Sequence, residues 1–278
     1  MEIQQSPLYA EYIRSLGWSV ELLDGMYIFI RPFPFIGGLA KIQRTLTLPD
    51  KKKFTALLEK YHVKTIVIEP DSRVRQSDFS RWCRDMGKNF RINTDPYIPT
   101  KTIRVSLTGT EDEIFSRFTE AKQRAVRRAA KAGVTIRESS DVGTMIRLKN
   151  KSAGFMGFIT TAGISKLWKI LPAKNKTILL AYAPDGKVIG SVFLIYCRRV
   201  AYYWIAGAVP KGKKLFAPTL LVWEAFKTAK KQSMHYFDFV GAWDERIPDK
   251  NTEWKGFTKF KEGFGGNPLY YPLPKSGN

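Results

Sequence analysis

Two cysteines in 278 residues, Cys83 and Cys197, lie far apart in sequence and do not make a disulfide framework. Two histidines, His62 and His235, leave any metal site short of partners, so no structural metal is expected. Acids are scarce as well, 25 Asp and Glu against 46 Lys and Arg. No run approaches the roughly 18 consecutive apolar residues that a membrane helix needs. The start, MEIQQSPLYAEY, opens with an acid and has no apolar stretch, so no secretory signal is expected and the protein reads as cytoplasmic. The motifs GxxxxGK[ST], GxSxG and HExxH are all missing, so neither a Walker-type nucleotide loop, a nucleophile elbow nor a zinc-protease helix is indicated.

What is present is charge. The net charge is +21, far above the magnitude of roughly 2–8 that keeps a small domain soluble. A fold does not require such an excess. It favours polyanions: nucleic acid, an anionic membrane surface or phosphorylated substrates. Hydrophobic residues make up 44% and aromatics 13%, which excludes a disordered chain and allows one large or two medium cores.

The pattern along the chain alternates helices and strands. Residues 7–16 read as a helix after Pro7. Residues 18–23 and 26–31 read as a hairpin about Asp24-Gly25. PFPFIGG breaks regularity. A helix over 50–61 carries Asp50 as N-cap, 65–68 is a buried strand closed by Glu69-Pro70, and 77–86 is a helix stopped by Gly87. The segment DPYIPT, 95–100, is a natural linker. A second unit opens with a strand over 101–107. Thr110 and Glu113 then form a capping box for a helix running to about Lys131. Helices over 141–153 and 163–171, a meander of strands at 177–182, 188–197 and 200–206, a helix after Pro218 and a strand over 235–240 complete an α/β pattern with a mixed sheet.

Two stretches stand out. In the helix over 111–131, Lys122, Arg124, Arg127, Arg128 and Lys131 cluster in KQRAVRRAAK with no acid inside the cluster. One reading is a solvated face with charges suited to the helix dipole; the other is a contact for phosphates. In GFTKFKEGFGG, 256–266, Phe257, Phe260 and Phe264 alternate with charged residues before a glycine turn. This predicts a strand that lines a cleft and points a lysine inward. From spacing alone, Lys261 also suits a surface lysine whose stem lies along apolar neighbours.

The order of strand meander and helix resembles acetyltransferases of the GNAT fold, although VPKGKKLFAPT, 209–219, lacks their usual [RQ]xxGx[GA] phosphate loop. A more specific resemblance rests on AGA (206–208), FAPTLLVWEAFKTA, HYFDFVGAWD and GFTKFKEGFGG, with QSPLYAEYIRSLGW, IVIEPD and the basic helix in support. The chain resembles the Fem-type peptidoglycan bridge aminoacyltransferases over most of its length. That resemblance implies two GNAT-like domains, 1–98 plus 267–278 and 99–266, with a substrate channel between them. It implies an aminoacyl-tRNA donor, a lipid-linked or nucleotide-linked peptidoglycan precursor as acceptor, a role in cell-wall biogenesis, no cofactor, and a cytoplasmic location at or near the inner membrane face. It assigns Phe260 and Lys261 to the catalytic pair: Lys261 as a fixed cation for the oxyanion, Phe260 as a platform for the terminal adenine. It assigns Glu69 to the acceptor cleft, where a plain strand-end acid is the other reading. Members that take the nucleotide-linked precursor carry a lysine after the LGW-like motif and an arginine in the second domain. Ser19, Val20 and Glu21, and then Thr160 and Thr161, stand near those places here, which leaves Lys41 and Arg44 as substitutes. The alternatives are an acyl-CoA-dependent GNAT-like enzyme and an RNA-binding module without catalysis.

Overall fold

The computed structural model describes residues 2–33, 37–154 and 157–274. The chain divides into two compact units, Met1–Lys101 with Leu269–Asn278, and Thr102–Pro268.

The first unit builds a five-stranded sheet in sequential order: β1 (Ser19–Leu23), β2 (Met26–Arg31), β3 (Gly38–Gln43), β4 (Val63–Glu69) and β5 (Arg91–Ile92). β1 to β3 are antiparallel; β3, β4 and β5 run parallel. The β1–β2 turn has two residues with positive φ, Asp24 at 47° and Gly25 at 79°, the backbone that a tight hairpin requires. Helices α1 (Pro7–Ser15), α2 (Lys51–Lys60) and α3 (Gln76–Met86) complete the unit. Ser6 caps α1 and Asp50 caps α2, each accepting from a backbone N–H of the first turn. Phe54 and Leu58 of α2 and Phe79, Trp82 and Met86 of α3 bury against Ile28, Ile30, Ile42, Ile66 and Ile68. Strand β3 was not anticipated. It begins on the last glycine of PFPFIGG, of which residues 34–36 lie outside the described residues.

The second unit holds a seven-stranded sheet in the order β12-β6-β11-β10-β9-β8-β7. Its strands are β6 (Lys101–Ser106), β7 (Thr135–Ser139), β8 (Lys176–Tyr182), β9 (Val188–Cys197), β10 (Val200–Ala208), β11 (Tyr236–Asp238) and β12 (Asn267–Tyr270). Its helices are α4 (Glu111–Ser116), α5 (Glu120–Lys131), α6 (Val142–Ala153), α7 (Gly157–Thr161), α8 (Ile164–Ile170), α9 (Pro210–Lys214), α10 (Ala217–Lys231) and α11 (Lys255–Glu262). Phe118, Phe226, Phe237, Phe239 and Phe264 form an aromatic core. Each such fully buried ring contributes about 1.5–3 kcal/mol.

Two expectations need correction. The helix expected over 111–131 is two helices. Phe118 turns into the aromatic core, and the Thr119 N–H bonds the Gly263 carbonyl at 2.9 Å instead of continuing the helix. Arg117, at the end of α4, therefore lies off the helix that carries the basic cluster. GFTKFKEGFGG is no strand: residues to Glu262 form α11, and the glycines follow it. Phe257, Phe260, Lys261 and Phe264 sit at i, i+3, i+4 and i+7, one helical face, whereas Lys259 lies on the exposed side. Alternation over a few residues satisfied both periods, and packing decided for the helix.

Candidate active site

β11 pairs with β10 in parallel for only three residues, Val200–Tyr202 against Tyr236–Asp238. β10 continues to Ala208 through an irregularity between Tyr203 and Ile205, which re-aims the side chains there. Past the end of β11 lies a cavity of about 420 Å³, lined by the far half of β10, Phe239 and Val240 after β11, and Phe257, Phe260 and Lys261 of α11.

Lys261 is the chemical centre of this cavity. Its side chain is 8% exposed. Its Nζ donates to the Phe239 carbonyl at 2.9 Å and to the Gly241 carbonyl, and lies 4.6 Å from the centre of the Phe257 ring. Burial pushes the amine down to about 7; Asp238 opposes the shift and the charge of Lys149 adds to it. Asp238 is itself held by Thr102 at 2.6 Å, by the Arg104 guanidinium and by the Val240 N–H. Lys261 was expected as a fixed cation. Desolvation opposes that charge and draws its titration down toward neutral pH. The neutral amine has two N–H groups, which the two carbonyls take, and one lone pair. The ammonium has a third N–H in its place. The site is therefore built to exchange one proton.

The backbone that offers these carbonyls is strained. Val240 has φ 51°, and a β-branched residue rarely adopts the left-handed region. Its N–H is fixed by Asp238, and the Gly241 N–H donates to Thr102 at 3.2 Å. Such outliers persist only where the surroundings over-determine them, and they gather at functional sites.

Phe260 lines the cavity and packs edge-on against Phe264 at 5.1 Å. The Lys122 ammonium sits 3.8 Å above the Phe260 ring. A Cβ on Gly263 would meet Lys122 Cε at 2.7 Å, so the glycine after α11 lets this lysine pass. Lys122 thus joins the basic helix to the aromatic wall, and burial lowers its amine. Arg124, Arg127, Arg128 and Lys131 are exposed on α5. Arg124 is paired with Glu120, just before the cluster, an i,i+4 partner that a search inside the cluster overlooks.

The three residues expected to hold the acceptor belong to the first unit. Glu69 is 7% exposed and bonds Gln43 Nε2 at 2.7 Å and the Tyr97 and Ile98 N–H groups at 2.6 and 2.8 Å. Burial raises its carboxyl, and these bonds work against the rise. Arg44, with φ 57°, bonds the Pro99 carbonyl and stacks 3.2 Å from the Tyr271 ring. Lys41 Nζ lies 4.1 Å over the Trp18 ring; burial lowers its amine while Glu69 opposes. Thr160 lines the second unit's cavity, and Thr161 bonds Asn150 at 2.8 Å. Among the described residues, no cluster of His, Cys, Asp and Glu suits a metal ion, and no helix is long and apolar enough to cross a membrane.

The model of the acetyltransferase (GNAT) domain matches residues 116–256, just over half of the chain. The chain belongs to the acetyltransferase (GNAT) domain family. Comparison by sequence with curated proteins gives no match. The GNAT architecture extends through both mixed sheets. FemX, in its crystal structure, matches with a TM-score of 0.79 at 16% identity, over 97% of this chain and 90% of its own. The C-terminal domain of a protein described as a lysylphosphatidylglycerol synthetase, from Agrobacterium fabrum, matches at 0.60 and 13% identity, over 96% and 87%. A tandem GNAT protein from the clavulanic acid biosynthesis pathway matches at 0.52 and 9% identity, over 95% and 86%. At these identities the likeness is one of fold, the tandem GNAT architecture.

Lys149 and Ser191, both in the wall of the GNAT cavity, escaped the sequence reading. The signal for Ser191 is a lone serine in the otherwise hydrophobic run VIGSVFLIYC. Lys149 carries none, because it lies in an ordinary amphipathic helix.

Proposed function

We propose that the protein is an aminoacyltransferase that takes its amino acid from aminoacyl-tRNA and joins it to the stem peptide of a peptidoglycan precursor. The observation that carries this reading is Lys261, a buried amine of lowered basicity at the wall of an aromatic cavity. Fold likeness to FemX along 97% of the chain supports the donor and acceptor classes.

In the reaction, an acceptor amine attacks the ester carbon of the aminoacyl group. A C–N bond forms, the ester C–O bond breaks, and the ribose hydroxyl leaves. The neutral Lys261 amine takes the proton that the attacking nitrogen must lose. The resulting ammonium faces the oxyanion and returns the proton to the departing ribose oxygen. Phe260, steadied by Lys122, offers a face on which the terminal adenine stacks. Arg124, Arg127, Arg128 and Lys131 contact the phosphates of the acceptor arm. Of the three first-unit residues, Lys41 is the one we retain for the precursor. Glu69 and Arg44 serve it indirectly, by holding residues 97–99.

The test is transfer from a panel of radiolabelled aminoacyl-tRNAs to lipid-linked and to nucleotide-linked precursor. The expected result is an extended stem peptide, abolished by ribonuclease. The family's acetyltransferase description favours a second reading, an acyl-CoA donor. Acylation from acetyl-CoA that ribonuclease leaves intact, with no transfer from any charged tRNA, would establish that reading instead.

A further inference from the structure

Ser191 is fully buried and lines the cavity, yet its Oγ has no hydrogen-bond partner among the described residues. A buried hydroxyl left unmatched costs about 1–3 kcal/mol, so it marks a place where a ligand completes the bonding. Ser191 of β9 stands directly across from Gly207 of β10. Directly opposed residues of an antiparallel pair share a face of the sheet. On that face, a Cβ at Gly207 would lie 2.8 Å from Lys149 Cα and 2.9 Å from Ser152 Oγ. The glycine thus lets α6 close onto the strand and leaves no side chain between Ser191 and the helix that carries Lys149.

Lys149 lines the same cavity. Burial lowers its amine, and its charge reaches Lys261. Among the described residues its Nζ has no acid and no hydrogen-bond partner. Lys261, by contrast, is engaged by two carbonyls. The wall therefore presents an unpaired ammonium and an unmatched hydroxyl beside the engaged Lys261. We propose that Lys149 and Ser191 form a subsite for a carboxylate of the substrate, one oxygen on each group. One ammonium without a partner matches a monoanion; of the other two lysines of the lining, Lys261 already donates to two carbonyls and Lys213 is exposed. The cavity, about 420 Å³, lies at the small end of the roughly 300–1,000 Å³ usual for ligand sites, which suits the end of a peptide. On the transferase reading above, on which this assignment of the carboxylate rests, it belongs to the acceptor, because the donor's own carboxyl is esterified.

The test is binding to the full chain, followed by ligand-observed NMR, of three probes: N-acetyl-alanyl-alanine, its C-terminal amide, and inorganic phosphate. The acid is expected to bind, and the amide at least about tenfold more weakly, as for a lost bond to a charged group. Lys149→Met is expected to weaken the acid about tenfold or more, Ser191→Ala about threefold to tenfold, and Lys149→Arg to retain most of the binding. Unchanged thermal unfolding identifies the variants that are folded. Equal binding of acid and amide, or equal binding by wild type and Lys149→Met, would overturn the proposal. Phosphate binding that depends on Lys149, without binding of the acid, would overturn the carboxylate assignment. Binding is read without turnover, so a failed transfer assay leaves this result standing and the reverse holds equally.

Discussion

Glu69 in the first unit is 7% exposed and Lys261 in the second is 8% exposed, but their surroundings differ. Both oxygens of Glu69 are matched by donors: Gln43 on one, two backbone N–H groups on the other. Its neighbour Arg44 is likewise occupied by Pro99 and Tyr271. Lys261 shares its cavity with an unpaired ammonium and an unmatched hydroxyl, beside a strained Val240. A buried charge whose bonds are all made within the protein holds structure together. One that keeps a proton to exchange, beside groups that lack partners, is set up for chemistry.

Replacing the two residues should separate these roles most sharply. Lys261→Met is expected to cut turnover by about 10²–10³-fold, as for loss of one oxyanion donor, while tRNA binding persists. Lys261→Arg keeps the charge but not the proton exchange. It should remain nearly as slow in the transfer assay; recovery to wild-type rates would mean that charge alone suffices. Glu69→Ala leaves three donors unmatched and should lower stability by about 2–4 kcal/mol in denaturant unfolding. Its folded fraction should turn over near the normal rate.

Arg124→Ala combined with Arg128→Ala should do the opposite of Lys261→Met. Affinity for tRNA falls and the slope of log K against log salt flattens by roughly 1–2, with turnover at saturation little changed. Stability should also depend on pH. The folded Lys261 amine titrates at about 7, against the ordinary 10.5. Between those values the unfolded chain binds the extra proton, so stability rises with pH across that window. Unfolding curves of Lys261→Met should lack this contribution.

How far these features are legible in the sequence depends on whether a local rule or a distant contact decides them. The Asp24-Gly25 hairpin, the Thr110–Glu113 capping box and the helix entered at Pro218 follow local chemistry, and all three are in place. α11 was misread because five residues of alternation cannot distinguish two periods. The helix break at Arg117–Thr119 depends on Phe264 and on the Gly263 carbonyl, far along the chain. The resemblance at DFVG and GFTKFKEGFGG singled out Lys261. A partly dry site for that amine was expected from its phenylalanine neighbours; the two backbone carbonyls that take its N–H groups were not, and they follow from α11 packing over the end of β11. Lys149 and Ser191 come together only through the glycine at 207, and nothing near either residue announces that.

The most direct measurement is the pH dependence of Lys261 itself, by competitive acylation of the full chain and mass spectrometry of the peptide containing it. The account predicts a midpoint near 7. A midpoint for Lys261 at the ordinary lysine value of about 10.4 would contradict it.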